Sequence, residues 1–244
     1  MESRWIPGLD YYGACRSAGN ASGDFVKLIP LEGRRLLASI GQTPGPGMSS
    51  LTVSTAVEAH FRGVTGGGSD ALSAAASRLN RALCDLASDG SLTTLFCACI
   101  DPLRRVLRYL SAGHESALLY RANGWRARRL EATGTVLGLS SRTVFRQHTV
   151  GLSPGDALIA FTGGVTDIVN RAGRPWGEAG VIDALRDHGD DPARILVERI
   201  LEAAEQYGDA ADEPAEQTVL AVRFAGSTGS FNRDRAEVVA FAAA

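Results

Sequence analysis

The order of its segments constrains this 244-residue chain more than any single motif. β-Prone stretches come in blocks, and helix-periodic stretches come in pairs between the blocks. Strands are expected at about 10–16, 24–30 and 34–41, then two helices, then strands at about 93–100, 105–112, 116–121, 125–130, 143–150 and 156–162. Two more helices follow at about 178–187 and 192–207, and a last strand at about 217–224. Single strands do not alternate with single helices, so repeated βαβ units are excluded. The order predicts an α+β fold of antiparallel sheets with helices packed outside them.

Local chemistry fixes most of the boundaries. Glu32-Gly33 reads as the turn of a hairpin, and Asp101-Pro102 as the turn of another. In the first helix, about 49–62, Val53, Val57 and Phe61 repeat every four residues. The second is capped by Ser69 or Asp70 and runs to about 88, with Leu72, Ala75, Leu79, Leu83 and Leu86 on one apolar face and Gly90 beyond its end. The helix from about 192 opens on Asp191-Pro192 as cap and first residue and closes at Gly208.

Composition removes several function classes. The net charge is -2 and no basic run is present, which argues against nucleic acid or an anionic membrane surface as partner. No apolar stretch approaches the roughly 20 residues that span a bilayer, and the N-terminus lacks the basic start and apolar block of a signal peptide, so the cytoplasm is the expected compartment. Four cysteines are too scattered for a disulfide framework; Cys97 and Cys99 leave one face of a strand and read as core residues. The stretch after Phe224 starts as a Gly/Ser linker and ends in a short apolar piece, expected as a docking or frayed tail over 226–244, with one domain over 1–225.

Four motifs occur in order: Ser22-Gly23-Asp24-Phe25, Gly41-Gln42-Thr43-Pro44-Gly45-Pro46-Gly47, Ser111-Ala112-Gly113-His114 and Phe161-Thr162-Gly163-Gly164-Val165-Thr166-Asp167. Together with Leu79-Asn80, Gly138-Leu139, Ser153-Pro154-Gly155-Asp156, Trp176-Gly177 and Thr218-Val219-Leu220, this set resembles the stage II sporulation protein E-like branch of the type 2C metal-dependent Ser/Thr protein phosphatases, over about residues 10–224. The resemblance implies a four-layer α-β-β-α sandwich of two antiparallel sheets flanked by helices. It also implies two Mn²⁺ or Mg²⁺ ions held by aspartates, with a bridging water that attacks phosphoserine or phosphothreonine. Such a centre needs clustered carboxylates, because hard divalent cations take oxygen ligands and must neutralise the transferred phosphoryl group.

Carried over position by position, the resemblance leaves one metal-binding acid, Asp24. Gln42, Gly163 and Ala215 stand where the family has its other metal-binding aspartates, and Pro46 where it has a histidine. Asp167, Asp212, Glu213 and Glu216 are the nearest substitute ligands in sequence, Asp167 and Glu216 foremost; Glu216 would point to the other face if its segment is already extended. His114 could act as a general acid or hold a turn by a hydrogen bond, and the second role is the expected one. His60, His148 and His188 show no metal or triad spacing, and no Gly-x-Ser-x-Gly elbow is present. Gly41, Gly45 and Gly47 form a cleft loop that enters a helix without the Lys-Ser/Thr of a P-loop.

The expected function is therefore a pseudophosphatase: a regulatory domain with no cofactor that binds a partner protein such as a phosphorylated anti-sigma factor antagonist, with homodimerisation a further expectation. The alternative is an active phosphatase whose Mn²⁺ or Mg²⁺ site is rebuilt from substitute ligands.

Overall fold

The computed structural model describes residues 6–17, 23–43, 50–64, 70–86, 92–115, 117–124, 126–208, 216–226 and 237–242. In chain order the elements are β1 (Leu9–Ser17), β2 (Asp24–Leu31), β3 (Arg35–Gln42), α1 (Ser50–Phe61), α2 (Ala71–Leu86), β4 (Thr94–Asp101), β5 (Val106–Ala112), β6 (Ala117–Arg121), β7 (Arg126–Leu130), β8 (His148–Gly151) and β9 (Ala157–Phe161). They continue with α3 (Gly163–Thr166), α4 (Gly177–Ala184), α5 (Ala193–Tyr207), β10 (Gln217–Phe224) and β11 (Glu237–Ala242). One sheet runs β2-β3-β4-β5-β8 and the other β11-β1-β10-β9-β6-β7. Every pairing is antiparallel except β1 with β11.

Three apolar layers hold the sandwich. Between the sheets, Leu36, Ala38, Ile40, Phe96 and Ala98 meet Leu119, Leu158, Leu220 and Val222. The alternate residues of the same strands point outward: Leu37, Cys97 and Leu110 are covered by Val53, Val57 and Phe61 of α1 and by Leu72, Ala75, Leu79 and Leu83 of α2. On the other side Leu118, Ile159 and Ala221 are covered by Val165, Val181, Leu196 and Ile200 from α3, α4 and α5. Strands buried on both faces explain why they read as continuous apolar runs. Both hairpins fall where their turns were read. Leu31 pairs with Arg35 around Gly33 and Arg34, both at positive φ. Asp101 Oδ1 accepts the Arg104 N–H at 2.9 Å in the other.

Four details depart from the sequence reading. Leu86, placed on the apolar face of α2, is 62% exposed, and Ala76 and Asn80 are buried on that helix instead. The first N–H of α5 goes to Asp10, whose Oδ2 accepts from Ala193 at 2.8 Å, while Asp191 takes Arg199 at 2.9 Å and His188 at 3.1 Å. A cap supplied by another strand carries no local sequence signal. β8 begins at His148 rather than near 143, because Gln147 turns to α2 and accepts the Leu72 N–H at 2.9 Å. Within the expected tail, Glu237–Ala242 lies parallel to β1 over Tyr12–Ser17. Among the described residues no helix is long and apolar enough to cross a membrane.

Asn80 is fully buried and crosslinks α2 to the 138–140 loop: its Nδ2 donates to the Ser140 carbonyl at 2.8 Å and its Oδ1 accepts the Gly138 N–H at 2.9 Å. Asn80→Ala removes the partner of two part-buried backbone groups and opens a small void in the helix layer, and is expected to cost about 1–3 kcal/mol. Urea denaturation measures the loss, and hydrogen exchange should show Gly138 deprotected first.

Candidate functional site

The cleft lies where several strand ends from both sheets converge. β2 begins at Asp24 and β3 ends at Gln42, its ladder partner; Thr94, opposite Gln42, begins β4. From the other sheet come the end of β9 with Thr162 and the start of β10 with Thr218. The strands approach closely here: a Cβ on Gly41 would collide with the Thr94 carbonyl and the Phe25 ring.

Asp24 sits on the floor of this cleft and is buried. Its Oδ2 accepts the Thr162 hydroxyl at 2.6 Å. The same Thr162 oxygen accepts the Thr218 N–H at 3.1 Å, and the Thr162 N–H donates to the Thr218 carbonyl at 3.0 Å. Burial pushes the Asp24 carboxyl up to about 6 and the nearby Glu216 carboxylate adds to the rise, while Thr162, Thr218 and Gln42 draw it partly back. Glu216 does not point away. It precedes β10, so strand alternation does not apply to it, and its Oε2 accepts the N–H groups of Gly23 at 2.7 Å and Asp24 at 3.2 Å.

A second group of carboxylates surrounds Gly163, the first residue of α3. The Thr166 hydroxyl donates to Glu115 Oε2 at 3.2 Å, and the Asp167 N–H closes α3 on the Gly163 carbonyl at 2.8 Å. Burial raises the Glu115 carboxyl, and Asp167, Glu178 and Asp24 raise it further, against the lowering bond from Thr166.

His114 is buried beside them. Its Nδ1 and the Thr94 hydroxyl lie 3.0 Å apart, and its carbonyl accepts the Ser111 hydroxyl at 3.3 Å. Its Nε2 faces the Phe161 carbonyl without meeting hydrogen-bond geometry. Burial lowers its pKa to about 4, so it is neutral at ordinary pH. Gly113, at φ +61°, lets the chain turn there, and its N–H donates to the Gly134 carbonyl at 3.0 Å. These bonds suit a residue that fixes a turn.

Asp24, Gln42, Gly41, Gly163, Asp167 and Glu216 are thus brought to one end of the sandwich. Gly45, Gly47, Pro46, Asp212, Glu213 and Ala215 lie outside the described residues. The other histidines are elsewhere: His60 binds the Ala56 carbonyl through Nδ1 at 2.8 Å, His148 packs on Tyr109, and His188 meets Asp191. Cys97 and Cys99 are buried in the layer under α1 and α2. Sequence reasoning missed Glu115 and Thr162. Both adjoin motif residues, Glu115 after His114 and Thr162 before Gly163, and a search for polar side chains next to the altered positions would have found them.

Solved structures with this architecture make the class plain. The RsbU and RsbW domains of a Mycobacterium tuberculosis protein match with a TM-score of 0.72 at 23% identity, over 91% of this chain and 62% of that one. The PP2C domain of SiaA from Pseudomonas aeruginosa matches at 0.73 and 20% identity, over 88% and 85%. A structure of the PP2C phosphatase domain of SpoIIE from Bacillus subtilis matches at 0.66 and 17%, over 88% and 63%. The fold is that of a type 2C (PP2C) phosphatase domain. The profile of the Stage II sporulation protein E (SpoIIE) family matches residues 32–224, and the chain belongs to that family.

Among curated relatives, phosphoserine phosphatase RsbP of Bacillus subtilis is 26% identical over 205 residues, 82% of this chain and 48% of RsbP. Phosphoserine phosphatase RsbU of the same organism is 33% identical over 89 residues, 36% of this chain and 27% of RsbU. The chain spans less than half the length of these relatives.

Type 2C phosphatases normally depend on Mn²⁺ or Mg²⁺. The described residues do not fit a pair of such ions. Asp24 gives an oxygen to Thr162, one Glu216 oxygen is shared by two backbone N–H groups, and no three His, Cys, Asp or Glu side chains among the described residues gather closely enough to hold a metal.

The buried pair Asp24 and His114 generates opposed pH dependences. Folded Asp24 keeps its proton up to about pH 6 against an unperturbed 3.8, so its contribution falls as pH rises through that window. His114 loses its proton at about 4 in the folded state against 6.5 unfolded, so its contribution is full above pH 6.5 and is lost as pH falls toward 4. In chelator, the stability of Asp24→Asn relative to the parent should rise from pH 4 and level off above pH 6, a change of roughly 2–3 kcal/mol across that window. Thermal or urea unfolding of the two proteins across pH 4–8 reads this difference directly.

Proposed function

We propose that this domain is a pseudophosphatase, a type 2C phosphatase fold that acts by binding a partner protein. The observation that carries the reading is the state of Asp24, the one acid at a metal-binding position of the family: its Oδ2 accepts the Thr162 hydroxyl at 2.6 Å, and hydroxyl and amide groups of Thr218 and Gln42 lie beside it. One oxygen of a carboxylate meant for a cation, Oδ2, is here taken by the protein's own hydroxyl. Gln42 and Gly163 extend the pattern, since one offers a neutral amide and the other no side chain. The core layers and the Asn80 crosslink are intact, so the changes fall on chemistry rather than on folding.

The relatives RsbP and RsbU are phosphoserine phosphatases, and one structural neighbour joins an RsbU domain to an RsbW domain. The partner is accordingly an anti-sigma factor antagonist of the kind such phosphatases act on, and the domain competes for it or shelters it in the cytoplasm. A second reading, an active phosphatase with substitute ligands, is favoured by one observation: Glu216 reaches the backbone of Asp24 and Glu115 feels its charge.

Calorimetric titration of the folded chain with Mn²⁺ separates the two. No binding heat is expected up to millimolar Mn²⁺, nor metal-dependent hydrolysis of a phosphoserine protein. One or two tight sites that vanish in Asp24→Asn, accompanied by hydrolysis, would establish the active enzyme instead.

A further inference from the structure

The net charge of -2 conceals a segregation. Residues 104–146 hold nine arginines against two acids, Glu115 and Glu131, whereas residues 147–244 hold sixteen acids against eight arginines. Folding gathers part of the basic stretch on one side of the sandwich, where β7 ends one sheet and β8 ends the other. The two edges are neighbours: the Arg121 guanidinium, at the end of β6, donates to the Gly151 carbonyl of β8 at 2.9 Å. Leu130 of β7 shares the layer between the sheets with Tyr109, the ladder partner of His148 in β8.

β7 reads Arg-Ala-Arg-Arg-Leu. Side chains alternate along a strand, so Arg126 and Arg128 leave the face that carries Leu130. Both are exposed, and neither makes an ion pair with a described residue, whereas Arg129 on the other face is paired with Glu178 at 2.8 Å. Burial raises the pKa of the Tyr109 hydroxyl, and the Arg128 charge draws it partly back, which sets that guanidinium at the mouth between the two edges. Among the described residues no strand pairs with the outer side of β7. Arg126 stands opposite Arg121, and Tyr120 opposite Ala157, at the end of β9 remote from Thr162, so this edge runs away from the cleft.

An uncovered strand edge offers its backbone N–H and C=O groups to any extended chain, and like charges along it repel a second copy of the same edge. For an acidic strand the same charges attract, because opposite charges directly across a ladder stabilise the pairing and the guanidinium fork fits a carboxylate. Independently of what the cleft does, we propose that the outer edge of β7 is the docking site for an extended acidic segment of a partner protein, which joins the sheet as a further strand. Its backbone completes the ladder, and Asp or Glu side chains spaced two residues apart meet Arg126 and Arg128. Main-chain bonds supply affinity, and the two arginines select the ligand by charge.

The test is fluorescence anisotropy of the full chain with a labelled peptide in which Glu and Thr alternate. This peptide should bind at low salt and weaken as salt is raised, and the same peptide with Lys for Glu should bind at least about tenfold less tightly. Arg126→Glu/Arg128→Glu should lower affinity for the Glu peptide at least about tenfold. Should that variant fold poorly, Arg126→Gln/Arg128→Gln should lower it in the same direction. N-methylation of alternate amides keeps the charge of the peptide but blocks its ladder, so one of the two methylation registers should lose binding. Failure of the Glu peptide to bind overturns the proposal, as does unchanged affinity in the arginine variants. Undiminished binding of both methylated peptides overturns strand addition, and tighter binding of a single-stranded oligothymidylate of equal charge would assign the face to nucleic acid instead.

Discussion

One hydroxyl group, that of Thr162, joins the two sheets at the floor of the cleft. It donates to Asp24 at the start of β2 and accepts the backbone N–H of Thr218 at the start of β10, so a single oxygen fastens β2, β9 and β10 together. The arrangement depends on burial. In water the exchange would be nearly neutral, but among strand ends closed to solvent each unmade bond would leave a costly orphan. Hence Asp24 is integrated into the fold, tied through Thr162 to the start of β10.

The same fastening shows how a buried acid is accommodated at the strand ends. Buried carboxylates repel one another unless cations or hydrogen-bond donors stand between them, so a buried aspartate needs partners from its own surroundings. Threonine hydroxyls supply them without charge. The three apolar layers are built from residues on strand middles and helix faces, and none depends on the cleft residues.

Much of the architecture was legible in the sequence because it is written in periodicity and punctuation. The repeat of Val53, Val57 and Phe61, the Asp101-Pro102 turn and Gly208 after α5 each place an element boundary through local chemistry. What was not legible arises from residues far apart in sequence. Asp10 caps α5 from 183 residues away, and Gln147 caps α2 from 75. Leu86 fits the helical stripe, but the stripe outruns the sheet beneath it. In the cleft, Asp24, Gln42 and Gly163 were found through the motifs that contain them. Glu115 was not, since it is held there by the Thr166 hydroxyl, and a contact between distant segments is written in neither.

The crosslink at Asn80 gives the outer helix layer a hold on the cleft. From α2 it fixes the 138–140 loop; Leu137 in turn exchanges backbone hydrogen bonds with Thr93, and Gly134 with Ser111 and Gly113, next to His114 and Glu115. The connection consists of short bonds, most of them between backbone groups, with Asn80 as its one buried side chain. A helix on the protein's outer layer and the strand ends at the cleft are therefore joined by one run of hydrogen bonds, so a change of residue on the inner face of α2 reaches the cleft without touching it.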